Sequence, residues 1–507
     1  MISEKNGSTD IDPYLKIAVK KIVRKKEVRL NSSIFPLDSQ TIEMVFSPSF
    51  WRNQNRAVRT TKKAFFSFKH LAILFGSFAL MLGATYFVFL FQPDYDAIRV
   101  DRLSSVGGIL LIILTTSLLV FKVSFLLFIF ILFLRYKPVA SVSDEALPRC
   151  TVIVPAYNEG QLVYSTLVSL VESDFPADKL QLIAIDDGSK DDTWSWMQRA
   201  KAELGDRISI YQQPVNQGKR HALYRGFNLG TGDVFVTVDS DSIVKTDTLR
   251  NLVSPFVTNK DCGAVAGNVR VLNNEKAIIP RMLNVSFTFS FEFIRSAQSV
   301  LGSVLCTPGA LAAYRRKAVM ACLPDWINQT FFGQATDIGE DRAMTNMILK
   351  QGYHVMFQRN AYVLTNIPEK YSGLYKMFIR WERSNVRENI MMSKFAFKQF
   401  RSGSTAGPRF LLINQWLRMV TAYPLLVIMF AFLITHPLLF LSTAFFSILI
   451  ISSLPALFYA KKYNVAESFW AYSYSIFYTF ALFWITPYAI ATANKRGWLT
   501  RGLPQKN

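Results

Sequence analysis

Two carboxylates stand directly after a run of strand-forming residues: Asp239 and Asp241 close the stretch Val234-Phe235-Val236-Thr237-Val238-Asp239-Ser240-Asp241. A continuous apolar run of β-branched and aromatic residues suits a central strand of a parallel sheet, covered on both faces. Ligands of open α/β sheets bind outside the carboxyl ends of the strands. Carboxylates at i and i+2 there can hold a hard divalent cation together with a diphosphate. An Asp-rich turn after a strand reads the same residues without chemistry. Two further strand-like runs weigh against that plainer reading. Cys150 to Pro155 leads into Pro155-Ala156-Tyr157-Asn158-Glu159-Gly160, and Leu180 to Ile185 leads into Asp186-Asp187-Gly188-Ser189. Chance turn chemistry rarely ends three successive strands in polar, carboxylate-bearing loops on one sheet edge.

The elements that must position these loops alternate between strand and helix from about Leu147 to Pro368, the pattern of a parallel sheet. Helical spacing covers Leu162 to Ser173, and a second helix is expected from Asp192 to Leu204. A strand follows at Ile208 to Tyr211, and Asn216-Gln217-Gly218-Lys219-Arg220-His221-Ala222 opens another helix before the Val234 run. His221 and His354 read as structural or surface histidines rather than ligands.

Half of the 507 residues are hydrophobic and 42 are Phe, too apolar for a soluble protein of this length. Leu71 to Phe91 carries no charge, and Gly107 to Leu134 carries only Lys122. With Leu411 to Ile434, Pro437 to Ala460 and Ser468 to Ala493, these runs suit a hydrocarbon core that takes about 20 helical residues to cross. The first 60 residues lack an apolar core segment, so no secretory signal is expected. Cys150, Cys262, Cys306 and Cys322 have neither metal-like spacing nor a disulfide-dense setting and are expected to be reduced cytosolic thiols. A net charge of +21 raises nucleic acid as a partner, but the basic residues cluster beside the apolar runs instead. Lys16 to Arg29 and Arg52 to Lys69 precede the first run, Arg135 and Lys137 follow the second, and only Arg99 and Arg102 lie between. The positive-inside rule then places the amino terminus and the middle segment in the cytosol of a multi-pass protein of the plasma or inner membrane. The basic residues would meet anionic membrane lipids or anionic substrates, and no nucleic acid is expected.

The series Pro155-Ala156-Tyr157-Asn158-Glu159, Asp186-Asp187-Gly188-Ser189 and Asp239-Ser240-Asp241 resembles that of the processive family 2 glycosyltransferases. Hyaluronan, chitin, nodulation chitooligosaccharide and cellulose synthases belong to that family. The likeness covers roughly Cys150 to Asn389. It continues through Thr307-Pro308-Gly309-Ala310-Leu311, Tyr314-Arg315-Arg316, Gly339-Glu340-Asp341-Arg342 with Thr345-Asn346, and Arg380-Trp381. The last groups look closest to the hyaluronan and chitin branch. One departure is Met377, which stands where the family's Gln-x-x-Arg-Trp has Gln. The resemblance implies an α/β fold: a GT-A-like, Rossmann-related cytosolic glycosyltransferase domain at 147–370, inserted between transmembrane α-helices at 71–137 and 408–494. A basic cytosolic segment at 1–70, amphipathic interfacial helices at 371–407 and a basic tail at 495–507 complete the expected order.

On the same resemblance, Tyr157 and Asp187 hold the uracil and Glu159 the nucleoside of a UDP-sugar donor. Asp239 and Asp241 bind Mg²⁺ or Mn²⁺, whose charge neutralises the departing diphosphate. Lys219 and Arg380 are further phosphate contacts on the donor side. Gly309, Glu340, Arg342 and Trp381 fall on the side of the growing polysaccharide acceptor, and Asp341 matches the general base that takes the acceptor hydroxyl proton. A single displacement inverts the anomeric carbon, so an α-linked donor gives a β-linked polymer. Residue types alone also permit plainer roles. Glu340, Asp341 and Arg342 could open a helix, where acidic residues offset the macrodipole, and Trp381 could anchor an interfacial helix. Lys122 could snorkel, and Arg418 could face the protein interior and line a polymer channel.

From Tyr371 to Phe400, apolar Leu374, Met377, Phe378 and Trp381 alternate with Lys376, Arg380, Arg383 and Arg387 at helical spacing, as in helices lying on a membrane face. A full crossing by the last run would leave Lys495, Arg496 and Arg501 outside, against the charge rule, and a break near Pro487 would remove the conflict. The expected activity is processive, inverting polymerisation of UDP-sugars coupled to export, with GlcNAc alone or alternating with glucuronic acid favoured by the resemblance. A non-processive polyprenyl-phosphate sugar transferase and a synthase of another β-glycan such as cellulose remain open. A transporter or scaffold with an inactive transferase domain is disfavoured, because Asp187, Asp239, Asp241 and Asp341 are all present.

Overall fold

The computed structural model describes residues 89–495 continuously and, before them, Phe75, Ala79, Leu82, Gly83 and Tyr86. The basic segment 1–70, nearly all of the run Leu71 to Phe91, and the tail after Lys495 lie outside the described residues.

The strands fall where β-branched runs occur: β1 (Cys150–Ala156), β2 (Leu180–Asp186), β3 (Ile208–Gln212), β4 (Val234–Val238), β5 (Ser242–Val244), β6 (Cys262–Val271), β7 (Leu311–Arg315), β8 (Thr330–Phe331), β9 (Gln334–Ala335) and β10 (His354–Thr365). Eight of them form one sheet in the order β3-β2-β1-β4-β7-β6-β10-β5, and β8 and β9 pair separately as a small hairpin. All five residues of β4 are buried, as expected of a strand covered on both faces. The sheet is mixed rather than parallel: β4 runs parallel to β1 but antiparallel to β7. The reason is the loop before β7. Thr307 to Ala310 lies at the carboxyl edge of β4, so the strand that leaves this loop must run back from that edge. Helices Leu162–Val171, Thr193–Leu204 and Lys219–Leu229 join the parallel strands close to the expected boundaries.

Among the described residues, three helices are long and apolar enough to cross a membrane: Val106–Arg135, Ala406–Thr435 and Pro437–Lys462. Val465–Ala481 and Ile485–Ala491 form a further apolar pair bent by 47°. The break therefore comes shortly before Pro487, a broken span or a re-entrant loop of the kind the charge pattern asked for. The short connection after Phe91 is itself a helix, Gln92–Leu103, with Pro near its first position, where the missing N–H costs nothing. A single helix, Tyr371–Ala396, occupies the stretch expected to hold several interfacial helices. It is covered on more than its apolar face. Arg383 donates to Thr492 Oγ1 at 3.0 Å and Arg387 to the Ile338 carbonyl at 2.8 Å, and both side chains are buried.

Polar contacts tie the sheet domain to the apolar helices. Lys122, expected to snorkel, instead donates from its Nζ to Asn414 Oδ1 at 2.9 Å on the neighbouring helix. Arg418 faces inward and reaches both oxygens of Glu382, at 3.2 and 3.0 Å. Most deeply buried is Glu292, with no exposed surface. It sits in a π-helical turn, Ser290–Arg295, and is ion-paired to Arg270 of β6 and to Lys462 at the end of an apolar helix. Asn268 and Tyr463 donate to the same carboxylate at 3.0 and 2.6 Å. Removing one member of a buried ion pair leaves the remaining charges uncompensated. Glu292→Leu, which strands both Arg270 and Lys462, is therefore expected to destabilise the fold by about 3–5 kcal/mol, read as a lowered melting temperature in detergent. A melting temperature equal to wild type would show that the network adds nothing to the junction.

Candidate active site

The loops after β1, β2 and β4 meet because their strands are parallel and in register, with Ala156 opposite Asp186 and Ile153 opposite Thr237. The first two loops are laced together by backbone donors. The Asn158 N–H donates to Ser189 Oγ at 3.0 Å, and the Glu159 and Gly160 N–H groups both donate to Thr193 Oγ1 at 2.8 Å. Asn158 holds a left-handed backbone at φ 52°, a conformation Asn tolerates better than most residues, and this turns Tyr157 and Glu159 toward one side. Asp187 is buried and accepts from Gln213 Nε2 at 2.7 Å, from the Gln217 N–H at 3.1 Å and from the Gly218 N–H at 2.7 Å. Its carboxylate thus shapes the turn that starts the Lys219–Leu229 helix while lining the site.

Beyond that turn the chain brings charges together. Lys219 Nζ contacts Asp239 Oδ1 and stands 3.4 Å from Glu340 Oε1. Burial works against the charge on Lys219, but Asp239, Glu340 and Asp341 outweigh it and raise its pKa, so the ammonium stays protonated. Gly309 passes close above this contact: a Cβ there would lie 2.6 Å from Lys219 Nζ and 3.6 Å from both Asp239 carboxylate oxygens. The loop that carries Gly309 is pinned by the Thr307 N–H to Thr345 Oγ1 at 3.1 Å and by Thr307 and Tyr314 hydroxyls 3.0 Å apart.

Glu340 and Asp341 occupy the first turn of helix Glu340–Lys350, so the helix-start reading and the site reading hold together. Gly339 before it is left-handed at φ 79°, and a Cβ there would lie 2.0 Å from Ser384 Oγ, so only glycine allows this approach to the Tyr371–Ala396 helix. Asp341 accepts from the Arg342 N–H at 2.7 Å, and the Cys306 thiol faces its other oxygen at 3.7 Å. Burial first, and the neighbouring Glu340 second, raise the Asp341 pKa above the ordinary carboxylate value, against the opposing pull of Lys219. Trp326 Nε1 donates to the Glu340 carbonyl at 2.9 Å and steadies the turn from beneath.

These groups line one cavity of about 520 Å³, within the ~300–1,000 Å³ usual for small-molecule sites. Tyr157, Glu159, Asp187, Lys219, Asp239, Asp241 and Arg380 are all on its wall, as are Gly309, Glu340, Asp341, Arg342 and Trp381. The structure therefore brings every sequence-expected site residue together. Two differ in detail from the expected division into donor and acceptor sides. Glu340 turns its carboxylate to Lys219, and Arg342 donates to Asn389 Oδ1 at 2.6 Å as well as bordering the cavity. Trp381 is partly exposed and packs 6.0 Å from the Phe287 ring and edge-on at 5.6 Å from Phe378. Met377 borders the same wall one turn earlier. Sequence reasoning passed over Phe287, Phe291, Arg295 and Gln298, all on the wall and all from the stretch Ile278–Val300. Glu292 and Arg295, two charges inside an apolar run, were the signal that could have found it.

For a divalent cation, the donor chemistry is suitable. Asp239 and Asp241 offer hard oxygens at the cavity, and Asp239 already attracts a cationic group, the Lys219 ammonium. Asp241 is oriented by Thr365 Oγ1, which donates to it at 3.2 Å. Among the described residues no group of three or more His, Cys, Asp or Glu side chains gathers as an all-protein cage. Two carboxylates suffice for Mg²⁺ or Mn²⁺ where substrate phosphates complete the coordination.

Residues 148–384 match the family model described as "Glycosyltransferase like family 2". An N-acetylglucosaminyltransferase of Rhizobium meliloti (strain 1021) is 32% identical over 251 residues, 49% of this chain and 58% of that protein. A hyaluronan synthase of Streptococcus pyogenes is 29% identical over 251 residues, 48% of this chain and 59% of that protein. The chain thus spans somewhat over half the length of the curated relatives it matches. A solved mannosyltransferase from Pyrobaculum calidifontis, in complex with GDP-Man and Mn²⁺, aligns over 78% of this chain and 96% of its own at 21% identity and a TM-score of 0.47.

The raised Asp341 pKa has a consequence for any reaction in which this carboxylate accepts a proton. Its basic form is complete above the raised pKa and is lost as pH falls through it. The acid limb of kcat/KM is therefore expected above the about 3.9 of an unperturbed Asp. A rate profile that stays flat down to that value would exclude Asp341 as the titrating group.

Proposed function

We propose that this chain, whose residues 148–384 are a family 2 glycosyltransferase domain, is a membrane-embedded, processive and inverting polymerase of UDP-sugars. The product is a GlcNAc-containing, β-linked polysaccharide of the chitin or hyaluronan type, in keeping with the relatives that share this domain. The observation that carries the reading is the single cavity: carboxylates and Lys219 from the sheet edge form one side, while Gln415 and Arg418 of the apolar Ala406–Thr435 helix form another. A site walled by its own membrane helix can release a growing chain toward that helix. The basic residues flanking the apolar runs support a cytosolic position for the domain in a multi-pass protein of the cell membrane.

In this reading Tyr157, Glu159 and Asp187 border the nucleoside, and Lys219 and Arg380 face the diphosphate. Asp239 and Asp241 would hold Mg²⁺ or Mn²⁺, which when bound neutralises charge on the departing UDP. The acceptor sugar rests on Trp381 beside Met377. Asp341 takes the proton from the attacking hydroxyl as its oxygen bonds to the anomeric carbon and UDP leaves from the opposite face. Burial makes Asp341 a stronger base than an exposed carboxylate, and the adjacent helix start keeps its ionised form available.

Purified protein incubated with radiolabelled UDP-sugars, singly and in pairs, is expected to make long polymer that glycan-specific hydrolases digest. A single-sugar product that partitions with lipid would replace this reading by a polyprenyl-phosphate transferase. Asp341→Asn is expected to lower turnover by ~10²–10⁴-fold while UDP still binds, since only the base is lost. Chelation with EDTA is expected to abolish synthesis and added Mn²⁺ or Mg²⁺ to restore it; full activity in metal-free buffer would dismiss the role given to Asp239 and Asp241. Trp381→Ala is expected to abolish or shorten the polymer, whereas Met377→Gln keeps activity with product length similar or greater, because Gln adds hydrogen bonding to a site where a thioether only packs. Gel sizing of the two products decides it, and wild-type lengths from Trp381→Ala would leave that ring a membrane anchor.

A further inference from the structure

The small hairpin of β8 and β9 has no part in the chemistry above, yet its second strand runs directly into the turn that carries Glu340 and Asp341. Phe331 pairs with Gln334, so Phe332 and Gly333 form a two-residue turn, and both hold left-handed backbone at φ 48° and 77°. Asn-Gly is the pair such a turn favours, and a bulky aromatic residue in its first position is a strained choice. Phe332 is also 80% exposed, and Thr330 to Ala335 carries no ionisable side chain in a chain of net charge +21. A turn facing bulk water gains from neither feature.

The position of the hairpin supplies a reason for both. The Phe331 ring meets that of Phe332 edge-on at 4.5 Å and is buried in a cluster with Val386, Met419 and Ala493. Met419 belongs to the apolar helix Ala406–Thr435, whose far end passes through His436 directly into Pro437–Lys462. From that reversal back to Met419 is about 24 Å of helix, less than the ~30 Å of a hydrocarbon core. The hairpin therefore meets the helix just inside the lipid boundary. Val420 and Val427 on that helix are 63% and 67% exposed, the surface that lipid would cover. The foot of the hairpin is tied inward. The Thr336 N–H donates to the Gln329 carbonyl at 3.0 Å, and Gln329 Nε2 donates to Glu388 Oε1 at 2.8 Å. Glu388 also accepts at 2.7 Å from Asn346, on the helix that begins at Glu340.

Resting on the membrane-embedded reading above, we propose that the hairpin of β8 and β9 is a lipid-contact element whose Phe332 ring enters the near leaflet of the bilayer. That contact holds the turn that carries Asp341, which makes Phe332 a positioning residue. The partner is the layer where headgroups give way to acyl chains, which accepts an aromatic ring together with uncharged polar groups such as Thr330 and Gln334.

The test uses the full-length protein in phosphatidylcholine–phosphatidylglycerol nanodiscs. An environment-sensitive fluorophore is placed on Phe332→Cys, on Val427→Cys within the apolar helix and on Asp206→Cys, whose native side chain is fully exposed on the sheet domain. Cys150, Cys262 and Cys322 are buried, and wild type treated with the same label supplies the background. Lipids spin-labelled high on the acyl chain are expected to quench position 332 strongly and position 206 scarcely. Quenching at 427 but not at 332 would overturn the proposal, whereas no quenching at 427 would instead remove the membrane-embedded reading on which it rests. Phe332→Asn suits the turn and is expected to melt no lower than wild type. Its kcat for UDP release in nanodiscs is expected to fall severalfold, within the ~10²-fold that a small misplacement of a reacting group can cost. Phe332→Trp, which keeps an aromatic ring at the boundary, is expected to retain the wild-type kcat. Equal kcat for Phe332→Asn and wild type would overturn the positioning role.

Discussion

The charged edge of the cavity depends on how one largely buried lysine is neutralised. Lys219 cannot keep its charge in a water-poor pocket unless carboxylates stand beside it, and those carboxylates cannot stand together unless a cation lies between them. Asp239 arrives from the sheet and Glu340 and Asp341 from the start of a helix more than 100 positions later in the chain, as the numbering shows. Gly309 makes room for the meeting by having no side chain. Each element is thus held where the charges need it, and moving any one of them would leave the others unpaired. The same balance leaves Asp341 with a raised pKa and Lys219 protonated.

A second level of constraint joins this edge to the apolar helices. Glu292 binds a strand of the sheet to the end of an apolar helix, and Glu382 binds the Tyr371–Ala396 helix to Arg418. Lys122 and Asn414 link two apolar helices to each other. Contacts of this kind give direction rather than large net stability, because desolvation cancels much of the Coulomb gain. Their effect is registration: the cavity keeps one wall on the sheet edge and another on a helix of membrane length. Under the proposed polymerase reading, a domain that floated free of its helices could transfer a sugar but could not pass each lengthened product toward the same exit.

The amino-acid sequence determined the parts whose physics is local. Strands β1 to β4 and their helices were legible because apolar β-branched runs, turn glycines and 3.6-residue spacing act over a few neighbours, and the three long apolar helices were legible from length and charge alone. All twelve expected site residues proved to share one cavity, and those in the loops after β1, β2 and β4 do so because the carboxyl ends of parallel strands face the same way. Tertiary structure alone decided the rest. The antiparallel insertion of β7 depends on where its preceding loop sits in space, and the burial of Arg383 and Arg387 depends on helices that cover both faces of a stretch that reads as amphipathic. Glu340 faces Lys219, and Arg295 stands in the cavity, only because segments far apart in the chain are packed together. Such meetings have no local signature, because which groups face each other across the cavity is decided by the fold.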